Sequence, residues 1–600
     1  MDNSLNKVAL IFKERTIPYN DLFFYVNALK KKLTLKNGDR VIICLENRPE
    51  WIISLFALWE RGCIVVPVDY LSTPKEISHI INDSEPDLLV YSNTTTDKVK
   101  EAVAISDYKN NLLCIDDVDF NTNTEDLIPD ETRFDINKFQ EKNLALLIYT
   151  SGTTGLPKGA MLSFGNLKSN ITCIKEAEIA LPCDKVLAFL PFHHSYPMMV
   201  SLLVPISIGA TIVIIDKITK EEIFSSLNKH NIDLFIAVPR IYELFHKTIN
   251  EKLASSSLLR FLFGIAKSIP NMTFRKMLFN AVHKKFGGKI RYFVSGGAKL
   301  DPEIIEFFGI MGFKFLEGYG LTETSPVICF NRPDASKSGS AGKVLNGVTV
   351  KIEDEEIWVK GENVMKGYWR NEEKTRDAFS GEWFKTGDTG YLDDEGFLFI
   401  TGRKKDIIVL STGKNINPED IESQLIKISS FIKEVAVIAE NDRLKALIFP
   451  DTEALKQEKV LNINEKIKWD IIDVYNRNAP GYRKISGFEI LKEELPKTRL
   501  GKIKRFLLVS KKEEKAKIQE KSLETEPDDD EYYMIRDFLM TLTSSKVLPS
   551  SHIEIDLALD SLDKVELLSF VETKFGISIK EDELSEIQLV KDIYTHIKRK

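Results

Sequence analysis

Cysteine, histidine and long uncharged runs are scarce in this chain, and each scarcity excludes something. The six cysteines, Cys44, Cys63, Cys114, Cys173, Cys183 and Cys329, form no Cys-x-x-Cys pair, which argues against a zinc site and for reduced thiols in a cytoplasm. Any metal is therefore expected on oxygen ligands. No strong charge excess is present either: a net charge of -7 over 600 residues indicates neither a nucleic-acid partner nor an acid-rich disordered chain. The amino terminus, MDNSLNKVALIFKER, reaches a charge before any apolar run is long enough for a signal peptide. Met198 to Ile215 is uncharged over nearly the length that spans a bilayer, but Pro205 and Gly209 divide it and its second half is β-branched. A buried helix followed by a buried strand is expected there, and no transmembrane span. A Walker P-loop is missing as well, because no Gly-Lys pair is followed by Ser or Thr.

What is present centres on YTSGTTGLPKG, Tyr149 to Gly159. The apolar run Leu144 to Ile148 before it has the composition of a buried strand, so the stretch is expected in the loop leaving a strand end. Gly152, Gly155 and Gly159 let backbone N–H groups approach an anion, Thr150, Ser151, Thr153 and Thr154 add hydroxyls, and Lys158 adds a charge. By composition this is a phosphate cradle, although a lone Gly/Thr-rich stretch is equally an ordinary turn.

Around it, residues 1 to about 140 alternate strand-like VALIF, DRVIICL and CIVVPVD with helices near Asn20 to Leu33 and at WIISLFALWERG, which predicts a mainly parallel sheet with ligands beyond its strand ends. Residues 92 to 140 are weakly patterned. LAFLPFHHSYPMM carries paired His193 and His194 between apolar flanks, a pattern that also suits packing histidines. FIAVPR and IRYFVSGGAKL read as buried strands ending in turns, and Gly296, Gly297 and Ala298 would let backbone lie flat against a planar ligand. GYGLTE, expected just after a strand Phe313 to Leu316, offers Tyr319 for stacking on a base, Thr322 for a phosphate and Glu323 as an oxygen ligand for Mg²⁺. Asp388, in a Gly-flanked turn, can accept from two ribose hydroxyls, and Arg403 ends an alternating strand; singly, these also read as an Asx-turn and a solvated strand end. From about 406 to 510 the pattern is mixed, closing with the basic LPKTRLGKIKR that contains Lys502. Residues 511–530 read as a charged linker, and two helical patterns, EYYMIRDFLMTL and LDKVELLSFVETKF, mark a small terminal unit with Ser561 as a capping residue.

In one order these stretches resemble the acyl-adenylate-forming superfamily: YTSGTTGLPKG, GYGLTE, FKTGD, GRKKD and PKTRLGK span roughly residues 1 to 510. The long segment between VPR and VSGGAKL, containing LLRFLFGIAK, looks most like the long-chain fatty acyl-CoA or acyl-carrier-protein synthetases, and residues 531–600 look like an acyl carrier protein with Asp560-Ser561-Leu562 as its DSL motif. The resemblance implies an α/β fold with a large multi-sheet N-terminal domain, 1–402, a small mobile α+β subdomain, 403–510, the linker 511–530 and a helical-bundle carrier domain, 531–600. It further implies ATP-dependent activation of a fatty acid as acyl-AMP, then thioester formation. Ser151, Thr153, Thr154 and Lys158 would hold phosphates, Glu323 Mg²⁺, Tyr319 and the backbone of 296–298 adenine, and Asp388 and Arg403 ribose. Lys502 would bridge carboxylate and α-phosphate, His194 would lie beside the substrate carboxyl, and Lys405 would be the hinge. Phe192-His193-His194 lacks the aspartate that amino-acid-activating relatives place there, which favours a plain carboxylic acid.

A fused carrier implies 4'-phosphopantetheine on Ser561, attached by a phosphopantetheinyl transferase, as acceptor in cis, with downstream acyl-transfer enzymes as later partners. Free CoA as acceptor is the alternative, and a nucleotide-binding scaffold without catalysis is a third reading, weakened by the presence of Lys158, Glu323, Asp388 and Lys502. Asp563 and Glu566 would face a partner, and the basic segment 497–505 is a candidate docking surface for them.

Overall fold

The computed structural model describes the chain except residues 1–6, 121–133, 151–156, 410–414, 441–442, 459, 461, 498–502, 504, 506, 509–526, 528, 544–546, 550, 552, 554–556, 558–560, 578–588 and 600. It divides into two compact units, Met1–Thr401 and Gly402–Lys600.

In the first unit the apolar runs of the first 150 residues become a six-stranded sheet in the order Asn111–Cys114, Leu88–Tyr91, Arg40–Cys44, Ile64–Pro67, Leu144–Thr150, Lys158–Ser163. All its pairs are parallel except the last, in which Leu144–Thr150 and Lys158–Ser163 run antiparallel, so the two strands flank the Gly/Thr-rich stretch. Continuous Val/Ile/Leu runs suit a parallel sheet buried on both faces. VALIF departs from the expected grouping: Val8–Phe12 pairs parallel with Thr211–Ile214, about 200 residues away in a second sheet. Periodicity reports that a segment is a strand and not which strand it will meet.

That second sheet has nine strands, parallel in the middle and antiparallel at both ends. Tyr292–Ser295 and Phe315–Gly320 are neighbours in it, which brings the SGGA turn and GYGLTE to the same sheet end. A third, five-stranded sheet carries Trp383–Leu392. The uncharged run resolves into a π-helical turn Met198–Leu203, a helix Val204–Ile208 and a strand Thr211–Ile214, all largely buried. Among the described residues no helix is long and apolar enough to cross a membrane.

Among its described residues the second unit holds three buried apolar clusters, a small one of Ala436, Ile438, Leu447, Leu495 and Leu508 and two larger ones. One packs the helix Pro418–Ile428 on a sheet of Ile432–Glu440, Arg443–Pro450 and Ile485–Ile490, the last of which has no counterpart in the sequence reading. Glu422 and Arg505 form a buried bidentate pair there, both contacts at 2.7 Å. Arg505 is therefore a structural cation and not part of an exposed docking surface, while Lys497 pairs with Glu434 at 2.6 Å. The other core gathers Tyr532, Ile535, Leu539, Leu567, Val571 and Ile593 from the helices Asp530–Leu542, Ser561–Phe575 and Val590–Arg599.

Candidate active site

Thr150 is the last residue of its strand and Lys158 the first of the next. Ser151, Gly152, Thr153 and Thr154 lie outside the described residues. Residues 365–369, MKGYW, follow the third-sheet strand Glu356–Gly361 and are fastened alongside: Met161 N–H donates to Gly367 O at 2.9 Å, and Trp369 N–H to Gly159 O at 2.8 Å. This places the Tyr368 ring beneath Lys158, whose Nζ lies 5.0 Å from the ring centroid. The Tyr368 hydroxyl donates to Glu323 Oε1 at 2.9 Å. Burial, with Glu323 adjacent, pushes the Tyr368 phenol far above its ordinary range, so it stays a donor. Tyr368 was not singled out by sequence; the only signal was Gly-Tyr-Trp in a loop, too short for any periodicity.

GYG differs from expectation, because the strand Phe315–Gly320 runs through it. The turn Thr322–Thr324 then carries Glu323. One side chain and one backbone group bolt this turn down: Asn363 Nδ2 donates to Thr324 O at 3.1 Å, and the Met365 backbone N–H to Glu323 O at 2.8 Å. Gly320 is required by contact, since a Cβ there would collide with the carbonyl oxygen of Pro326. Ser195 and Thr322 hydroxyls are 3.0 Å apart, linking the His-His loop to the same turn.

Tyr319 and Asp388, expected as a base-stacking ring and as a ribose acceptor in a turn, meet each other. The Tyr319 hydroxyl donates to Asp388 Oδ2 at 2.7 Å, and Asp388 sits within the strand Trp383–Leu392, not in a free turn. A register shift where Glu356–Gly361 pairs with that strand, next to Gly387 at φ +72°, lets Asp388 depart from the regular ladder. Thr386 Oγ1 accepts from Asp388 N–H at 3.1 Å and donates to Ile357 O at 2.7 Å.

A Cβ on Gly296 would lie 2.7 Å from the Tyr196 ring, so that ring covers the backbone of the SGG turn, where Gly297 has φ +84° and Ala298 follows. The Tyr196 hydroxyl, Ser295 Oγ and His194 Nε2 are buried with no hydrogen-bond partner among the described residues. Unpaired polar atoms in a dry wall are costly unless a ligand meets them. His193 Nε2 is 3.4 Å from Asp69 Oδ2, yet burial lowers the His193 pKa to about 3 and holds His194 far below its usual value. Both imidazoles are therefore neutral, so His194 can offer a hydrogen bond and not a positive charge.

Arg403 ends the strand Leu398–Arg403, and its carbonyl accepts from Asp406 and Ile407 N–H at 3.0 and 3.1 Å, closing a turn that contains Lys405. Lys502 lies outside the described residues. Ser561 is the first residue of its helix.

Comparison with known proteins agrees with this geometry. A family described as AMP-binding enzyme matches residues 1–369, and its AMP-binding enzyme C-terminal domain matches 405–517. A long-chain-fatty-acid–CoA ligase of Mycobacterium bovis is 30% identical over 72% of this chain and 76% of its own length. A long-chain-fatty-acid–CoA ligase of Bacillus subtilis is 28% identical over 85% of this chain and 92% of that protein. Among solved structures, O-succinylbenzoate coenzyme A synthetase of Bacillus subtilis in complex with ATP and magnesium ion is 25% identical with a TM-score of 0.65, covering 83% of this chain and 96% of that one. The chain belongs to the AMP-binding enzyme family, and within it is an AMP-forming acid–thiol ligase.

Proposed function

We propose that the chain activates a medium- to long-chain fatty acid and loads it onto its own carrier domain, residues 531–600, through the linker 511–530, with residues 1–402 and 403–510 forming the adenylating machinery. In the first step a carboxylate oxygen attacks the α-phosphorus of ATP, the bond to the pyrophosphate oxygen breaks, and acyl-AMP and pyrophosphate result. In the second a thiol sulfur attacks the acyl carbon and AMP leaves. The observation that carries the first step is the Lys158–Tyr368–Glu323 arrangement, a cation and a metal-competent carboxylate held on one tyrosine.

Thr150, Ser151, Gly152, Thr153, Thr154, Lys158 and Thr322 hold the phosphates in this reading, and Glu323 faces Mg²⁺. The donor set fits that ion: Tyr368 is the one hydrogen-bond donor to the Glu323 carboxylate among the described residues, and Mg²⁺ is usually bound through one or two carboxylates plus substrate phosphates. When bound it offsets the charge that would repel an incoming carboxylate. Gly296, Gly297 and Ala298 present backbone to adenine, against which the Tyr319 ring stacks while its hydroxyl orients Asp388 toward the ribose, joined by Arg403. Neutral His194 donates to the substrate carboxyl, and Lys502 neutralises carboxylate and α-phosphate together. Lys405 is the hinge that exchanges the surroundings between steps.

For the second step, Ser561 opens a helix whose free N–H groups favour a phosphodiester. An attached pantetheine arm supplies the accepting thiol, and its place on the same chain makes the transfer intramolecular. Free CoA is the second reading, favoured by the names of the relatives, which are acid–CoA ligases. Intact-mass analysis after incubation with a phosphopantetheinyl transferase, ATP, Mg²⁺ and a panel of fatty acids tests the proposal. A mass increase of arm plus acyl group that disappears in Ser561→Ala supports loading in cis; an unloaded arm with acyl-CoA formed from added CoA assigns the second reading.

A further inference from the structure

The helix Ser257–Ser268, SLLRFLFGIAKS, turns one face to the interior: Phe263 meets Phe307 and Phe279 with ring centroids 5.3 and 6.2 Å away, and Ala266 is fully buried. Its other apolar residues are less covered: Leu259, Leu262 and Ile265 are half-buried, and Leu258 and Phe261 are exposed. Leu258, Phe261, Leu262 and Ile265 recur at the i, i+3, i+4, i+7 spacing of a single stripe, and Leu258 and Phe261 are each 66% exposed. The helix packs between Pro239–Ser255 and Met272–Leu278, which add exposed Leu244 and Met277. A helix apolar on nearly all sides is ordinarily buried.

Charge names what covers this one. Residues 240–289 contain ten Lys/Arg (240, 247, 252, 260, 267, 275, 276, 284, 285, 289) and two Glu (243, 251), a net of +8, so a chain of net charge -7 carries -15 elsewhere. Arg260, Lys252, Lys276, Lys284, Lys285 and Lys289 are exposed. Like charge would oppose a second copy of the same face. Apolar side chains flanked by cations are instead the composition of a helix lying in the headgroup region of an anionic bilayer, where the two attractions act together.

We propose that the helical segment 239–285 is a membrane-surface docking element whose occupant is an anionic lipid bilayer, with Leu258 and Phe261 entering the acyl boundary and the surrounding lysines meeting lipid phosphates. This goes beyond the ligase reading and does not depend on which acid is activated or on which thiol accepts it. The full chain should co-sediment with vesicles of phosphatidylcholine containing about one-third phosphatidylglycerol and not with phosphatidylcholine alone, and about 0.5 M salt should weaken binding. Leu258→Ser with Phe261→Ser should lower vesicle affinity roughly tenfold or more. Both side chains are exposed, so ATP–pyrophosphate exchange with a water-soluble acid, measured without vesicles, should stay at the wild-type level. Lys252→Glu with Lys276→Glu and Lys284→Glu gives an independent variant and should remove the preference for anionic vesicles. Equal binding to both vesicle types, undiminished binding by the serine variant, or a wild-type dimer in sedimentation velocity that this variant dissolves would each overturn the proposal.

Discussion

Carboxylates in the two units keep different company. Glu323 and Asp388 accept from the neutral phenols of Tyr368 and Tyr319, whereas Glu422 is clamped by both arms of the Arg505 guanidinium. A phenol orients a carboxylate and leaves its charge in place, so the group remains able to meet a cation or a sugar hydroxyl. A guanidinium cancels the charge and spends the carboxylate on the fold. On the proposed function, similar acids thus serve as site and as scaffold, and the partner distinguishes the two.

Breaking the scaffold pair should have the largest effect. Glu422→Ala strands a buried guanidinium and should cost about 3–5 kcal/mol of stability, read from urea unfolding monitored within residues 402–510; an unchanged midpoint would show that the pair is not what holds that core. In the site, Lys502→Ala should slow ATP–pyrophosphate exchange about a hundredfold, on the order of 3 kcal/mol, with unfolding unaffected. Near-normal exchange would remove the lysine from the proposed chemistry.

A fourth carboxylate, Glu317, sharpens the comparison because burial outweighs its polar neighbours. Burial lifts the Glu317 pKa from 4.5 to about 7, so between those values the folded protein retains a proton that the unfolded chain has released. Stability contributed by this group is therefore present below the unfolded pKa and lost as pH rises toward 7. His193 and His194, held neutral, tilt stability the opposite way below pH 6.5. The difference between wild type and Glu317→Gln isolates the glutamate: the variant should gain about 1–3 kcal/mol relative to wild type between pH 5 and 7.5, and a flat difference curve would refute the shift. Tyr368→Phe should have the smallest effect, a loss of about 1–2 kcal/mol in kcat/KM for ATP; recovery at raised Mg²⁺ concentration would locate the loss at Glu323.

Sequence patterns carried the elements further than the contacts between them. The phosphate stretch lies between two strands because apolar runs bound it, and Tyr319, Glu323 and Asp388 were legible as residue types suited to a base, a metal and a ribose. That Tyr319 bonds Asp388 was not legible, since a hydrogen bond across 69 positions leaves no local pattern. Arg505 looked like one more cation in a basic loop because its partner Glu422 lies 83 residues upstream. Val8–Phe12 was recognisable as a strand, while its parallel mate Thr211–Ile214 is fixed by the packing of the whole unit. Tyr368 had no periodic context, and its role emerges only where loop and sheet meet.

One side chain ties the helix that follows Lys158–Ser163 to the strand that follows the Glu323 turn. Asn170, on the helix Phe164–Glu176, accepts from Val327 N–H at 2.8 Å and donates to Val327 O at 3.1 Å, so its amide imitates a length of backbone. The helix that continues from Lys158–Ser163 and the corner that bears Glu323 are therefore joined by side-chain amides as well as by strands: Asn170 grips Val327 from the helix, and Asn363 reaches Thr324 O and Val327 O from the other side.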